Sequence, residues 1–362
     1  MKAILIGCVA FVSMMVSGAV AAENCGALPK LAGDTPQVKF KLKMVSPSRG
    51  PVLGPKSPGA EEALGGFEGG TVIKADGAFH AFITEMTTGL ATRLGLWTSP
   101  DGDHWTRTST LFTSSGDFTG QDRRASLWAP MPVYDEAHEA WDLFYVAYRS
   151  KPSPPTAWYA NYDGEIVRAV SQVKGRHGFA GPYVDAGVIL SPEKNPDAWE
   201  GLQGTDSFYP YRALDRWFGF YGTARTEVLP ISSWRVGLVE GRSLDGPWHR
   251  CSSLNPSPIE THFMENPVVS RIGSNFLAIY DVDVDAPKSI GYSESQDGVY
   301  WTPGMRLELF TDPAITARTP LALIEDGHGA YDLFVTAFIR GKDASGKDAS
   351  SGHLFHFKIK AG

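Results

Sequence analysis

The chain has 362 residues, a formal net charge of -7 and 20 % charged residues, with no long basic run. Nucleic acid is excluded as a partner class, because phosphate binding needs clustered Lys and Arg. Aromatic residues at 12 %, with 39 Gly and 25 Pro, suit many short strands joined by tight turns and leave little room for long helices.

The chain opens with Met1-Lys2, an apolar run from Ala3 to Val16, and small residues at Ala19-Val20-Ala21-Ala22. This pattern predicts a secretory signal peptide over residues 1–22; the run is too short and wrongly flanked to span a membrane. Because no other segment is apolar enough, no membrane span is expected, and the location is secreted or periplasmic. Residues 23–362 are expected to form one domain and a monomer. Of the three Cys, Cys25 and Cys251 remain after signal removal. In an oxidising compartment they could pair and tie the N-terminus to the body, or remain two thiols.

Next come five copies of one pattern: an apolar strand, a tight turn, then a second strand rich in aromatic residues. The first strands are Gly69–Lys74, Ala129–Tyr134, Ser207–Arg212, Asn266–Arg271 and Thr319–Ile324. Their partners are Phe79–Ile83, Trp141–Tyr148, Arg216–Tyr221, Asn275–Tyr280 and Tyr331–Phe338. Three copies add a later turn that leads into Trp: Asp101-Gly102 before Trp105, Asp245-Gly246 before Trp248 and Asp297-Gly298 before Trp301. Each turn is expected to join a third strand to a fourth, with the Trp ring buried between neighbouring sheets.

Repeats of this spacing predict an all-β fold, a five-bladed β-propeller of four-stranded antiparallel blades. The fifth copy runs out after a third strand at His353–Lys360. Val38–Met44 alternates polar and apolar residues and belongs to no copy, so it is expected to supply the missing outer strand and close the ring. The longer connections are Ser150–Asn161, Ser191–Gly204 and the low-complexity Gly341–Gly352, the last expected to be mobile.

Inner strands of a propeller begin at one face of the central channel. The residues at those five starts are Phe67-Glu68, Trp128, Asp206, Glu265 and Arg318, with His262 just ahead of Glu265. A carboxylate desolvated at a strand start is costly unless paired or functional, and the fold itself requires none there. Two carboxyls across a pocket are what glycosidic cleavage needs, and a third negative charge can raise the pKa of the acid. Phe67 and Trp128 offer apolar faces to a sugar ring. The bland alternative is that each acid bonds a neighbouring backbone or Arg318.

With these motifs, nearly all of the chain after residue 22 resembles the five-bladed propeller glycosidases grouped around glycoside hydrolase family 43. The match is carried by Trp128-Ala129-Pro130, Asp206, and Glu265 followed by Asn266-Pro267. The resemblance implies a glycosidase in which Glu265 is the acid, Glu68 the base and Asp206 the residue that tunes the acid. Phe67, Trp128, His262 and Arg318 would contact a carbohydrate substrate. It implies arabinose-, xylose- or galactose-type linkages, mostly cleaved with inversion. Two positions depart from the family pattern: Glu68 stands where Asp is usual, and Met131 where many relatives carry an acid. The alternative is a non-catalytic carbohydrate-binding propeller.

No cofactor is required by this chemistry. Asp281-Val282-Asp283-Val284-Asp285 alternates acids and could hold a structural calcium ion, although it lacks the Gly and distal Glu of a helix-loop-helix site. A solvated strand end is the simpler reading.

Overall fold

The computed structural model describes residues 25, 41–46, 50–87, 91–152, 160–192, 199–228, 234–282, 286–342 and 346–362. The expected signal segment and Asp283, Val284 and Asp285 lie outside the described residues. The fold is built from strands, with a short 3-10 turn at Arg176–Ala180.

The strands fall into five four-stranded antiparallel sets, the first and fifth joined into one eight-stranded sheet by a single parallel bridge, Gly66 opposite Gly352. The first holds β2 (Gly66–Ala75), β3 (Ala78–Met86), β4 (Thr92–Ser99) and β5 (Thr106–Thr113). The second holds β6 (Ser126–Asp135), β7 (Ala140–Tyr148), β8 (Glu165–Ser171) and β9 (Tyr183–Leu190). The third holds β10 (Asp206–Ala213), β11 (Arg216–Ala224), β12 (Trp234–Gly241) and β13 (His249–Arg250). The fourth holds β14 (Glu265–Ile272), β15 (Asn275–Asp281), β16 (Ser289–Ser295) and β17 (Met305–Glu308). The fifth holds β18 (Ile315–Glu325), β19 (Tyr331–Lys342), β20 (Asp348–Ala361) and, from the other end of the chain, β1 (Leu42–Ser46).

Pairing of β1 with β20, Leu42 opposite Ala361 and Met44 opposite Ile359, gives the fifth set its fourth strand; of the expected Val38–Met44 it includes Leu42–Met44, and Val38, Lys39 and Phe40 lie outside the described residues. Residues 348–361 form a longer strand than expected. Much of the Gly341–Gly352 stretch is paired rather than loop, because β19 and β20 continue their ladder out to Lys342 opposite Asp348. A polar segment can form such a stem because the ladder satisfies its backbone while its side chains stay solvated.

Local chemistry explains the turns. Asp76 and Gly77, with φ of 49° and 79°, make the two-residue connection between β2 and β3, the left-handed geometry that suits the twist of a hairpin. The Trp-bearing turns fall between third and fourth strands, as expected. In two of them an Asp oxygen accepts backbone N–H groups: Asp101 from Asp103 and His104, and Asp297 from Val299 and Tyr300. Trp105, Trp248 and Trp301 are each buried. Trp105 stands edge-on to Phe334 of the fifth set, and Trp301 packs against Tyr211 and Phe220 of the third.

Burial is most complete in the second strands and least in the outermost ones. β7 is buried on both faces throughout, whereas the outer strands β5 and β9 are largely exposed or half-buried. The first strands touch in sequence: β2 meets β6, β6 meets β10, β10 meets β14, β14 meets β18, and β18 meets β2. Between β2 and β18, the Thr71 hydroxyl donates to the Leu321 carbonyl at 2.8 Å. Cys25 and Cys251 are disulfide-bonded, with Cα atoms 5.2 Å apart, so the pairing reading holds over the two-thiol one.

Candidate active site

Each of the five first strands carries a register irregularity beside its site residue, and β18 carries a second between Pro320 and Ala322. Register shifts fall between Glu68 and Gly70, Trp128 and Met131, Asp206 and Phe208, Glu265 and Val268, and Ala317 and Pro320. A bulge of this kind bends the strand and re-aims the side chain beside it. In four of the strands the residue after the site residue has positive φ: Gly69 (68°), Ala129 (50°), Ser207 (36°) and Asn266 (49°). Three of these are not glycine and carry a backbone cost, which local bonds offset. The Ala129 N–H donates to Thr84 Oγ1 at 3.0 Å, the Ser207 N–H to Asp206 Oδ1 at 2.7 Å, and Asn266 Nδ2 to Thr319 Oγ1 at 3.0 Å.

The bulges bring acids to one cation. Arg318 Nη2 lies 2.9 Å from Glu68 Oε1 and 3.5 Å from Glu265 Oε2, and its Nε donates to the same Glu68 oxygen at 3.0 Å. Arg318 Nη1 reaches Asp281 Oδ2 at 3.3 Å. The Arg318 guanidinium also lies over the Phe338 ring, 5.9 Å from its centre. Asp206 is held by a separate set: Gln203 Nε2 donates to its Oδ2 at 2.6 Å and to the Tyr148 hydroxyl oxygen at 3.1 Å, and the Tyr148 hydroxyl bonds Asp206.

Burial decides the protonation of this group. Burial pushes the Glu265 carboxyl well above the ordinary carboxylate range; Arg318 pulls it down, while the charges of Asp206, Asp281 and Glu68 push it further up. Burial also raises Asp206, against the bonds it accepts from Tyr148 and the Ser207 N–H. The Tyr148 hydroxyl is held well above its usual value by burial first and by Asp206 second, so it remains a neutral donor. A buried Glu265 with a raised pKa thus stands beside a Glu68 bound by two guanidinium nitrogens. Such a pair can give a proton at one atom and take one at another.

Of the residues singled out by sequence, Glu68, Glu265 and Arg318 are in direct contact, and Asp206 faces the same group through its charge. Trp128 is half-buried at the equivalent place in β6, its Nε1 donating to Ser126 Oγ at 2.6 Å. Phe67 is a correction. Its ring is fully buried and stands edge-on to Trp97 at 5.5 Å, inside an apolar cluster, so it has no face open to a ligand. Next to Glu68 on a strand, it points the other way. His262 is exposed on the loop ahead of β14.

Three residues of the site escaped the sequence reading. Asp281 pairs directly with Glu265 across β14 and β15, a position that counting back through the hairpin would have found. Gln203 lies in a connection that carries no pattern, and Tyr148 reads simply as the end of an apolar strand. The simpler reading of this acidic run as a solvated strand end fails at Asp281, which is fully buried and engaged by Arg318; for the calcium reading, Asp283 and Asp285 lie outside the described residues. Among the described residues, no three metal-ligating side chains cluster. Nor is any helix among them long and apolar enough to cross a membrane.

No protein-family model matches the chain, and no curated protein matches it. Solved structures do. A family 117 glycoside hydrolase from the marine bacterium Zobellia galactanivorans aligns with a TM-score of 0.59 at 13 % identity, over 89 % of this chain and 90 % of that one. A structure titled only as a glycoside hydrolase gives 0.56 at 13 % identity, over 80 % and 86 %. The α-L-arabinofuranosidase of Lactobacillus brevis gives 0.51 at 11 % identity, over 78 % and 89 %. At these identities the likeness is one of fold: the chain has the architecture on which these glycoside hydrolases are built.

Proposed function

We propose that the protein is a glycoside hydrolase acting on a poly- or oligosaccharide, with Glu265 as the acid, Glu68 as the base and Asp206 as the charge that tunes the acid. The observation that carries this reading is that equivalent strand starts bring Glu68, Asp206 and Glu265 to one buried group, which goes beyond the Arg318 contacts that a structural role would also make. Arg318 Nη2 contacts both Glu68 and Glu265, so a carboxyl whose pKa burial raises stands beside one bonded to a cation. Glycosidic cleavage needs that division of labour.

In the proposed reaction the Glu265 proton passes to the glycosidic oxygen as its bond to the anomeric carbon breaks. Water adds to that carbon and gives its proton to Glu68. Exchange with solvent then returns Glu68 to its anion and Glu265 to its acid. The resemblance implies that water attacks from the opposite face and inverts the anomeric carbon, an outcome that requires the two carboxyls to stand farther apart with sugar bound than when both contact Arg318 Nη2. Trp128 supplies an apolar face to the sugar. Arabinose-, xylose- or galactose-type linkages are the first substrates to try, and the arabinofuranosidase among the structural matches supports that choice. In the same reading the five sheets close a ring around the site, the sequential contact of β2, β6, β10, β14 and β18 supporting closure. The export pattern at residues 1–22 supports a secreted or periplasmic monomer meeting its substrate outside the cytoplasm.

The test is a panel of plant and algal polysaccharides and aryl-glycosides, read by released sugar, with the anomer of first product followed by NMR. Wild type is expected to release product, and Glu265→Gln to lose roughly 10²–10⁴-fold with its fold intact. Full activity in Glu265→Gln would sink the reading. Binding of a glycan by both, with release by neither, would make the protein a carbohydrate-binding propeller instead.

A further inference from the structure

We propose that Asp281 is the positioning residue of this centre, holding the Arg318 guanidinium where it reaches Glu68 and Glu265 together. Where it concerns turnover, the proposal rests on the glycosidase reading. Its geometry does not.

The fold does not ask for an acid at this place. Asp281 stands on β15 directly opposite Glu265, and the corresponding partners of Glu68, Trp128 and Asp206 are Thr84, Val146 and Gly222. Only the fourth of these four places carries a carboxylate, and it is fully buried. Two carboxyl groups as direct cross-strand neighbours repel and destabilise a sheet unless something compensates. Compensation comes from Arg318, whose Nη1 faces Asp281 at 3.3 Å while its other edge, Nε and Nη2, grips Glu68. A planar guanidinium hydrogen-bonded along one edge to Glu68 and ion-paired at Nη1 to Asp281, whose Oδ2 makes no hydrogen bond among the described residues, has less freedom to turn. Its remaining contact, Nη2 to Glu265 at 3.5 Å, is thereby set in length rather than closing to a tight ion pair that would strip Glu265 of its proton.

The groups facing Glu265 are Arg318 from β18, Asp206 from β10, Asp281 from β15, Glu68 from β2 and, more remotely, Tyr148 from β7. Removing the Asp281 charge acts on Glu265 in one direction twice. A like charge is lost, and the Arg318 charge is less neutralised and freer to close on Glu265. Both lower the pH at which Glu265 ionises.

The experiment labels the side-chain carboxyl carbons of Glu with ¹³C, assigns Glu265 by the signal missing in Glu265→Gln, and titrates it by NMR in the full chain. In Asp281→Asn the Glu265 midpoint is expected to move down by about one pH unit or more. The alkaline limb of kcat/KM on a turned-over glycan should move with it. Asp281→Thr, which copies the residue opposite Glu68, is the second charge-removing variant. Asp142→Asn breaks another buried ion pair, that with Arg168 Nε at 3.0 Å, and should leave the Glu265 midpoint in place. An unmoved midpoint in a folded Asp281 variant overturns the proposal. So does collapse of both Asp281 variants, which would assign the residue to the fold. If wild type turns over no glycan, the glycosidase reading fails by itself and the NMR midpoint still decides the role of Asp281.

Discussion

His356 Nε2 lies 2.6 Å from Asp332 Oδ1, and the other nitrogen of the same ring lies 2.7 Å from Asp103 Oδ1. One imidazole therefore joins the last sheet to the Trp-bearing turn of the first. Serving two carboxylates requires both ring nitrogens to donate, so the ring is charged. Burial opposes that charge, but the hydrogen bonds to Asp332 and Asp103 outweigh it and the His356 pKa is raised. Asp332 is lowered for the reciprocal reason: burial resists, while His356 and Lys358 prevail. A raised His contributes stability that is complete below about pH 6.5 and is lost as pH rises through its folded value. A lowered Asp contributes stability present above about pH 3.9 and lost as pH falls through its folded value. Between roughly pH 4 and pH 6.5 both contributions are present. Raising the pH from 6 to 9 should thus lower the Tm of wild type by about 1–2 °C more than that of His356→Gln, about 1 kcal/mol for a domain of this size. Parallel curves for the two proteins would remove this bridge from the stability of the fold.

Replacing Arg318 with Met tests whether the acids of the site are compensated by this one cation. Glu68, Glu265 and the fully buried Asp281 would face each other without it. Leaving buried charge unpaired costs about 3–5 kcal/mol. The acids respond by holding protons, so their folded pKa values rise, and groups raised in this way cost stability as pH increases. Urea melts should show Arg318→Met strongly destabilised at pH 8 and substantially recovered at pH 5. Equal destabilisation at both values would mean that Arg318 contributes packing rather than charge.

The repeat made the inner-strand starts legible, and with them Glu68, Trp128, Asp206, Glu265 and Arg318, because equivalent positions in a repeat face the same way. The N-terminal strand was legible for a related reason: a segment alternating at period two with no partner nearby must pair elsewhere, and β20 is where it pairs. What failed was whatever depended on register within a hairpin. Phe67 was assigned to the pocket on its nearness in sequence to Glu68, although neighbours on a strand face apart. Asp281 was absorbed into an alternating acidic run, and its place opposite Glu265 emerges only when β14 and β15 are laid side by side. Gln203 left no trace, since a side chain reaching out of an irregular connection has no period to betray it.

The bulge that aims Glu68 depends on Gly70. Its φ is 123°, and a Cβ there would meet the Phe82 carbonyl oxygen at 2.0 Å, a backbone atom of the neighbouring strand. Gly70→Ala should cost more than about 2 kcal/mol, through strain and loss of ladder bonds together. Gly77 gives the comparison: its φ is also positive, at 79°, but a Cβ would meet nothing within 4 Å. Gly77→Ala should cost only about 1 kcal/mol, the left-handed backbone alone. Chemical melts of the two variants distinguish the contributions, and similar losses would show that the close approach at Gly70 relaxes freely.

Trp128 tests the binding half of the functional proposal apart from its chemistry. The ring is half-buried, packs against the large apolar cluster, and is anchored by Nε1 donating to Ser126. Part of its surface therefore stays open, and it is held in one orientation. An aromatic face fixed this way contributes to ligand affinity through buried apolar area rather than through charge, so its loss should not shift a pH profile. Trp128→Ala, made in the Glu265→Gln background so that bound glycan persists, is expected to weaken glycan binding about tenfold, as about 1.4 kcal/mol of lost contact would. In the active enzyme the same change should raise KM more than it lowers kcat, the mark of an interaction made equally in the ground and transition states. Unchanged affinity in calorimetry, with the fold intact, would place Trp128 among the packing residues beside Phe67 and leave the sugar to be held by polar groups.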